Sequence, residues 1–332
     1  MGLVYGWGNG ADTLGLVSDV LFCTDTFYAQ YAERLALIAP DLEVVTLVGD
    51  DEVPAEDLAR VTITFFSHDA WPERAGHFFG AAMNTPNLKW LHTMSAGVDS
   101  PIFSTFTDRG VRLTTSSGSS ASPIARTVMM YLLALSRDLP GMIRSQDRAE
   151  WNWNRWIELD GRSVAVVGWG PIGQEVARLA DAFGMSPTIV RRAAHGDEPY
   201  PVRPLSDLDQ IAADHDVMVV ALPLTDDTAG IVSADVFDAL GADGLFVNVG
   251  RGELVDQEAL TAALVEGRLG GAGIDVTDPE PLPSDDPLWS APNLIITPHN
   301  SGSTNGTGRR ADEAFLSNLE RWLVADTLDN EV

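Results

Sequence analysis

Two residue types are nearly missing from these 332 residues: there is one cysteine, Cys23, and one lysine, Lys89. A lone cysteine excludes an internal disulfide and any cysteine-based zinc site, and no bound metal is expected. No apolar run approaches the ~18 residues that a membrane span requires. The opening MGLVYGWGNGADTLG lacks a basic stretch followed by an apolar one, so no secretory signal is expected and a cytoplasmic location is. Positive charge is scarce altogether. Lys and Arg number 21 against 48 Asp and Glu, a formal net charge of -27. Such a surface repels nucleic acid and anionic lipid, so neither is expected as a partner. Two origins fit the charge pattern: adaptation to high salt, or a GC-rich genome that favours Arg over Lys on an acidic surface. Neither decides function.

What is present is an ordinary globular composition, 45% hydrophobic, with enough length for one large domain or two ordinary ones. Short β-prone runs at 19–23 (DVLFC), 43–48 (EVVTLV) and 61–66 (VTITFF) surround a helical spacing in YAERLALIA. That alternation predicts an α/β unit on a parallel sheet. The Ser/Gly-rich TTSSGSSASP, 114–123, reads as either a solvent loop or an interdomain hinge. The helix after it, IARTVMMYLLALSRDL, is apolar on most faces, which predicts burial. From GRSVAVVG the alternation restarts more regularly, with strands expected at 163–168, 187–190, 217–222, 244–249, 271–276 and 294–297. Helices such as QEVARLADAF and DQEALTAALVEG lie between them, so a second doubly wound sheet is expected. A last helix, about 309–325, has no strand after it. Packing it back on the first domain makes that domain discontinuous, 1–119 with 303–332, against 120–302 for the second.

Gly168, Gly170 and Gly173 stand at G-x-G-x-x-G spacing in VAVVGWGPIGQEVARL, between an apolar strand and a helix. The first glycine permits a tight turn, the second lets a pyrophosphate approach the backbone, and the third lets helix and strand pack closely. The helix start then offers free N–H groups and its positive dipole end to the phosphates. Strand, motif and helix in this order make the signal specific, and the loop, with Pro171 and Ile172 inside it, is expected to bind a dinucleotide. GWGNG at 6–10 has neither the preceding strand nor the third glycine, and reads as a flexible N-terminal turn.

The next strand of such a fold usually ends in an acid that hydrogen-bonds the adenosine ribose. Near that place stand Arg191 and Arg192. An acid there would repel a 2′-phosphate, whereas an arginine fork binds phosphate bidentately or lies on the adenine face. In a chain at -27, local cations are also what attracts an anionic cofactor. NADP(H) is therefore the expected cofactor, with NAD(H) the alternative if the arginines merely solvate a strand end.

Arg251 in VNVGRGELVD, Glu280 in GIDVTDPEPLP and His299 in IITPHNSGS each follow an expected strand. All three are thus placed at carboxyl ends, the edge where an open parallel sheet binds ligands. Singly, each reads equally as a loop residue, a solvated acid or a turn cap. Beside a nucleotide loop the three together point to a site. By GWGPIG, NVGRGELVD, GAGIDVTDPEPLP, PLW and TPHNSG the chain resembles the D-isomer-specific 2-hydroxyacid dehydrogenase family, most clearly from about residue 88 onward.

That resemblance implies two doubly wound parallel-sheet α/β domains, a Rossmann cofactor domain and a smaller, discontinuous flavodoxin-like substrate domain. It implies a homodimer and reduction of a small 2-keto acid to the D-2-hydroxy acid, which the reading of Arg191 and Arg192 makes NADPH-preferring. The family's ordered Arg, Glu and His fall on Arg251, Glu280 and His299. Elementary chemistry agrees with those roles. Histidine cycles its proton near neutral pH and suits the general acid. A carboxylate beside it orients the ring and favours its charged form. Arginine stays charged, binds the substrate carboxylate and stabilises charge developing on the carbonyl oxygen. Asp275 matches the family position that hydrogen-bonds the nicotinamide carboxamide, or else caps the turn after its strand. In LHTMSAGVDS, the backbone amides around Ser95, Ala96 and Gly97 resemble the family's carboxylate-receiving loop, or form a simple turn.

Some features depart from the family. The acid usual after VA is replaced by Arg126. WNWNRW (Trp151, Trp153, Trp156) lies where the family forms its dimer interface, although core packing is expected for at least two of the three. His68, His77, His92, His195 and His215 lack paired ligand spacing and read as structural or surface residues. The family's phosphoglycerate dehydrogenases want more cations near 95–97, and its formate dehydrogenases replace the acid at Glu280. A dinucleotide-sensing, protein-binding corepressor on the same fold is the alternative outside enzymology.

Overall fold

The computed structural model describes residues 19–49 and 51–332, and the turn expected at GWGNG lies outside them. The chain divides into two compact units. One runs to Ser116 and takes in Ala311–Val332; the other is Ser117–Arg310. No helix among the described residues is long and apolar enough to cross a membrane.

In the first unit, β1 (Val20–Thr24), β2 (Glu43–Leu47), β3 (Ile63–Phe66), β4 (Trp90–Thr93) and β5 (Arg112–Thr115) form one sheet in the order β2-β1-β3-β4-β5. Every pairing is parallel, and the order is that of flavodoxin-like folds. Alternate side chains of a strand face opposite sides. Val20 and Phe22 of β1 accordingly pack with Phe78, Phe103 and Phe106. Leu21 and Cys23 pack with Phe315, Leu316 and Leu319 of the helix Thr307–Leu323. The last helix thus belongs to this sheet from Ala311 onward.

The strands β4 and β5 were hidden by their polar letters. His92 is fully buried, its ring nitrogens 2.6 Å from Thr114 Oγ1 and 3.0 Å from Ser116 Oγ, while Trp90 Nε1 donates to Thr114 at 2.8 Å. Burial pushes the His92 ring down to about 3, so it sits neutral, as a structural histidine. With their hydroxyls satisfied, Thr114 and Ser116 are buried at no penalty. TTSSGSSASP is therefore neither loop nor hinge throughout: its start completes β5, and the helix Ala121–Ser136 takes its end.

The second unit carries β6 (Ser163–Val167), β7 (Ser186–Arg191), β8 (Val202–Pro204), β9 (Val217–Val220), β10 (Leu245–Asn248), β11 (Gly271–Ile274) and β12 (Leu294–Ile296). Their order is β12-β11-β10-β9-β6-β7-β8, parallel throughout. This is the Rossmann order, and the chain direction across the sheet reverses between β6 and β9, where such sheets bind ligands. Strands β6 and β9–β11 are buried on both faces, as a helix-covered parallel sheet requires. The short β8 went unseen, being half exposed and ending in proline.

The unit boundaries differ from the expected 119/120 and 302/303. Ser116 N–H donates to Thr93 O at 3.0 Å and so stays with the first sheet. Thr307 Oγ1 donates to Gly302 O at 2.7 Å and Arg310 Nε to Ser119 O at 2.5 Å, which keeps 303–310 with the second. The helix Ala121–Ser136 is not buried all round. Ala125, Val128, Tyr131 and Leu132 enter the core, but Met130 and Leu133 are exposed. With Leu139, Met142 and Phe183 they line an apolar groove of about 720 Å³.

Candidate active site

The loop Gly168–Gly173 joins β6 to the helix Pro171–Ala182. Gly168 has φ +110, and a Cβ there would meet Ala221 O at 2.5 Å; a Cβ on Gly173 would lie 2.0 Å from Gly168 O. Both positions admit only glycine. At Gly170 nothing lies within 4 Å of a built Cβ, which leaves open space against the backbone. The helix begins with Pro171 at its start and no side-chain cap, so its first amides are presented outward. A phosphate-sized cradle of this kind fits a dinucleotide. Gly173→Ala is expected to raise the dissociation constant for NADPH at least tenfold and to cost about 1–3 kcal/mol of stability by overpacking. Fluorescence titration and urea unfolding read both. Unchanged binding would mean that the helix does not hold the phosphates.

Gly168, Trp169 and Gly170 share a cavity of about 450 Å³ with Arg191, Arg192 and His195. The arginines are not bare cations. Arg191 Nη1 lies 3.0 Å from Glu198 Oε1, because the segment after β7 folds back on the strand end. Arg192 pairs with Asp227 at 3.8 Å, the two side chains 69% and 84% exposed, a contact worth about 0–1 kcal/mol and easily exchanged. His195, Asp197 and Glu198 present ligand atoms within 4.8 Å of one another, but Arg191 and two backbone amides already take the Glu198 oxygens.

The three catalytic candidates stand beyond the carboxyl ends of the neighbouring strands β10, β11 and β12. His299 Nδ1 is 2.8 Å from Glu280 Oε2, and Thr277 N–H donates to Glu280 Oε1 at 3.1 Å. The dyad is open, its side chains 49% and 38% exposed. It borders a cavity of about 320 Å³ that Asp275, Trp289 and Thr297 also line. Arg251 is half-buried and donates from Nη1 to Gly250 O at 2.8 Å. Its turn abuts the Glu280 segment, since a Cβ on Gly252 would lie 2.2 Å from Thr277 O.

His299 has φ +49, a left-handed conformation that a non-glycine residue holds only when its surroundings impose it. Asp275 imposes it. Its backbone oxygen accepts His299 N–H at 2.8 Å. Its carboxylate accepts Thr297 Oγ1 at 2.5 Å, Asn300 N–H at 3.0 Å and Ser301 N–H at 3.1 Å, and also binds the Ser301 hydroxyl. Tyr131 reaches the same group through the Thr297 hydroxyl. These bonds match the turn-capping reading of Asp275. In the sequence, Thr297 and Ser301 show only as the hydroxyls flanking His299 in TPHNSG, and Tyr131, on the helix Ala121–Ser136, carries no such mark.

In the first unit, Ser95–Gly97 follows β4. Ser95 Oγ donates to Gly97 O at 2.9 Å and Ser116 N–H to Ser95 O at 3.0 Å. One other expectation changes. Trp151, Trp153 and Trp156 are 97%, 76% and 45% exposed, so none is core packing: the segment 148–158 carries no helix or strand to press them inward. Arg126 turns back on Ser122 of its own helix and stands 3.9 Å from Glu175.

The sequence profile described as D-isomer specific 2-hydroxyacid dehydrogenase, NAD binding domain, matches residues 129–301. A glyoxylate reductase/hydroxypyruvate reductase of Mus musculus is 30% identical over 328 residues, 94% of this chain and 97% of that protein. The crystal structure of a D-isomer specific 2-hydroxyacid dehydrogenase family protein from Aeromonas salmonicida superposes with a TM-score of 0.78 at 31% identity, covering 95% of this chain and 99% of that one. A D-isomer specific 2-hydroxyacid dehydrogenase from Xanthobacter autotrophicus, solved with NADPH and MES, gives 0.76 at 28% identity over 95% and 98%. The chain belongs to the D-isomer-specific 2-hydroxyacid dehydrogenase family and is an NAD(P)-dependent 2-hydroxyacid dehydrogenase.

Proposed function

We propose that this enzyme reduces a small 2-keto acid of the glyoxylate or hydroxypyruvate class to the D-2-hydroxy acid, prefers NADPH, and works in the cytoplasm as a homodimer. The observation that carries the chemistry is the 2.8 Å contact of His299 Nδ1 with Glu280, which commits one ring nitrogen to the acid and leaves Nε2 for the substrate. When bound, the reduced nicotinamide supplies a hydride to the carbonyl carbon. His299 then delivers the proton from Nε2 to the carbonyl oxygen, and Glu280 keeps the ring oriented. Arg251 attracts the substrate carboxylate and stabilises negative charge growing on the carbonyl oxygen. The amides of Ser95, Ala96 and Gly97 are carboxylate-receiving groups of the first unit; small residues let such a group come close. The mouse relative's name supports the substrate class, and the NADPH in the Xanthobacter structure supports the cofactor.

Initial rates of NADPH and NADH oxidation against a panel of 2-keto acids test this directly. NADPH is expected to be preferred, and Arg192→Ala to raise its KM about tenfold while leaving NADH unchanged. A preference for NADH would overturn the cofactor assignment, and no turnover with either would point to a dinucleotide-sensing binding protein. A second copy of the chain is the expected cover for the apolar groove at Met130 and Leu133 and for the exposed tryptophans, whose apolar side chains this chain leaves uncovered. Light scattering should give twice the mass of the 332-residue chain, and Met130→Asp should return it to a monomer. A monomeric wild type would refute the dimer.

A further inference from the structure

The cavity shared by the glycine loop and the two arginines is also lined by a histidine, His195. The segment that carries it leaves β7 at Arg191 and closes on its own acid. Glu198, its side chain 4% exposed, accepts His195 N–H at 2.8 Å and Gly196 N–H at 2.8 Å. The same carboxylate accepts Arg191 Nη1 at 3.0 Å. The His195 amide first, then that of Gly196 and the charge of Arg191, hold its carboxyl down to about 2, so it is an anion throughout the working range. Arg191 Nη2 lies 3.2 Å from His195 Nε2. A guanidinium only donates, so this nitrogen accepts, and the ring carries its proton on Nδ1.

We propose that residues 191–198 form a preassembled receptor for a phosphate monoester, in which Glu198 positions Arg191 and His195 is a phosphate donor beside Arg191 and Arg192. The inference rests on the NADP(H) reading and names the further residues that would decide it. In the usual fold the strand-end acid faces the ribose and rejects a 2′-phosphate. Here the acid is displaced from 191 to 198 and its oxygens are already taken by two amides and a guanidinium. Its charge therefore works through Arg191, holding a long side chain in place before the ligand arrives, which is how preorganisation raises affinity. Arg191 uses only two of its five N–H donors on Glu198 and His195, and the others remain for phosphate oxygens. With His195 Nε2 accepting from Arg191, its Nδ1–H is the donor that remains for a phosphate oxygen.

The test is KM and kcat with each nucleotide for the full chain, with competition by adenosine 2′,5′-bisphosphate and by adenosine 5′-monophosphate. In Glu198→Gln and in His195→Gln, the KM for NADPH and the inhibition constant for the bisphosphate should each rise about tenfold, the loss of one charge-assisted contact. NADH kinetics, inhibition by the monophosphate and kcat should stay within about twofold, and Glu198→Asp should restore part of the loss. Equal losses with both nucleotides would make the segment merely structural, and a gain for NADPH in Glu198→Gln would make the acid a repellent; either result overturns the proposal. His195 is exposed, so its variant keeps the test sound even if Glu198→Gln folds poorly. Wild-type enzyme that favours NADH and binds the two adenosine phosphates equally would bring down the NADP(H) reading and this inference together. A clear NADPH preference that neither variant disturbs would bring down this inference alone.

Discussion

Alanine at His299 is expected to lower kcat for 2-keto acid reduction by about 10²–10⁴-fold, the usual contribution of a positioned general acid. The side chain is half exposed and its partner Glu280 is also open to solvent, so the substitution removes a proton donor without emptying a core. Affinity for the dinucleotide and the unfolding midpoint should both remain near wild type. Single-turnover kinetics after mixing enzyme, NADPH and glyoxylate would separate chemistry from product release. A loss smaller than tenfold with intact cofactor binding would remove His299 from the role of proton donor and turn attention to Arg251.

Asp275→Ala is expected to cost both stability and rate. The residue is 3% exposed, and its removal strands the amides of Asn300 and Ser301 and the Thr297 hydroxyl without their acceptor. The buried Ser301 amide so stranded costs about 1–3 kcal/mol, while water can reach the exposed Asn300 amide and the half-buried Thr297 hydroxyl, so a loss of about 1–3 kcal/mol in urea unfolding is expected. His299 N–H keeps its bond to the backbone oxygen of residue 275, but the carboxylate's hold on 297, 300 and 301 is lost, so the turn loosens and kcat should fall about 100-fold even in the molecules that stay folded. Asp275→Asn keeps one acceptor oxygen and should lie between the two. Unchanged stability with a raised KM for the nucleotide alone would instead favour the nicotinamide contact as the residue's main duty.

The two residues differ in how they could be found. His299 announces itself by chemistry: an imidazole after an apolar strand, in register with an arginine and an acid after two others. The glycine loop is legible for a similar reason, because Gly168 and Gly173 answer local steric demands that no other residue meets. Strands β6 and β9–β11 are legible through continuous apolar runs, which parallel strands covered on both faces must have. Strands β4 and β5 are not, since Thr114, Ser116 and His92 satisfy one another across the sheet, and a polar letter carries no sign of its partner. Nor could the chain alone distinguish a buried face from an open one on the helix Ala121–Ser136, or say that Trp151 and Trp153 stand in solvent.

The sequence by itself determined that the chain builds parallel α/β sheets and made the glycine loop and the candidates Arg251, Glu280 and His299 legible, because each depends on residues close in the chain or on a spacing that one strand or turn imposes. Tertiary structure decided the rest. It brought Glu198 back to Arg191 and closed Asp275 around the His299 turn. It also kept Ser116 with the first sheet and Arg310 with the second. These outcomes rest on hydrogen bonds between groups that only the folded chain brings within 3 Å or so of each other, and a one-dimensional pattern has no term for them.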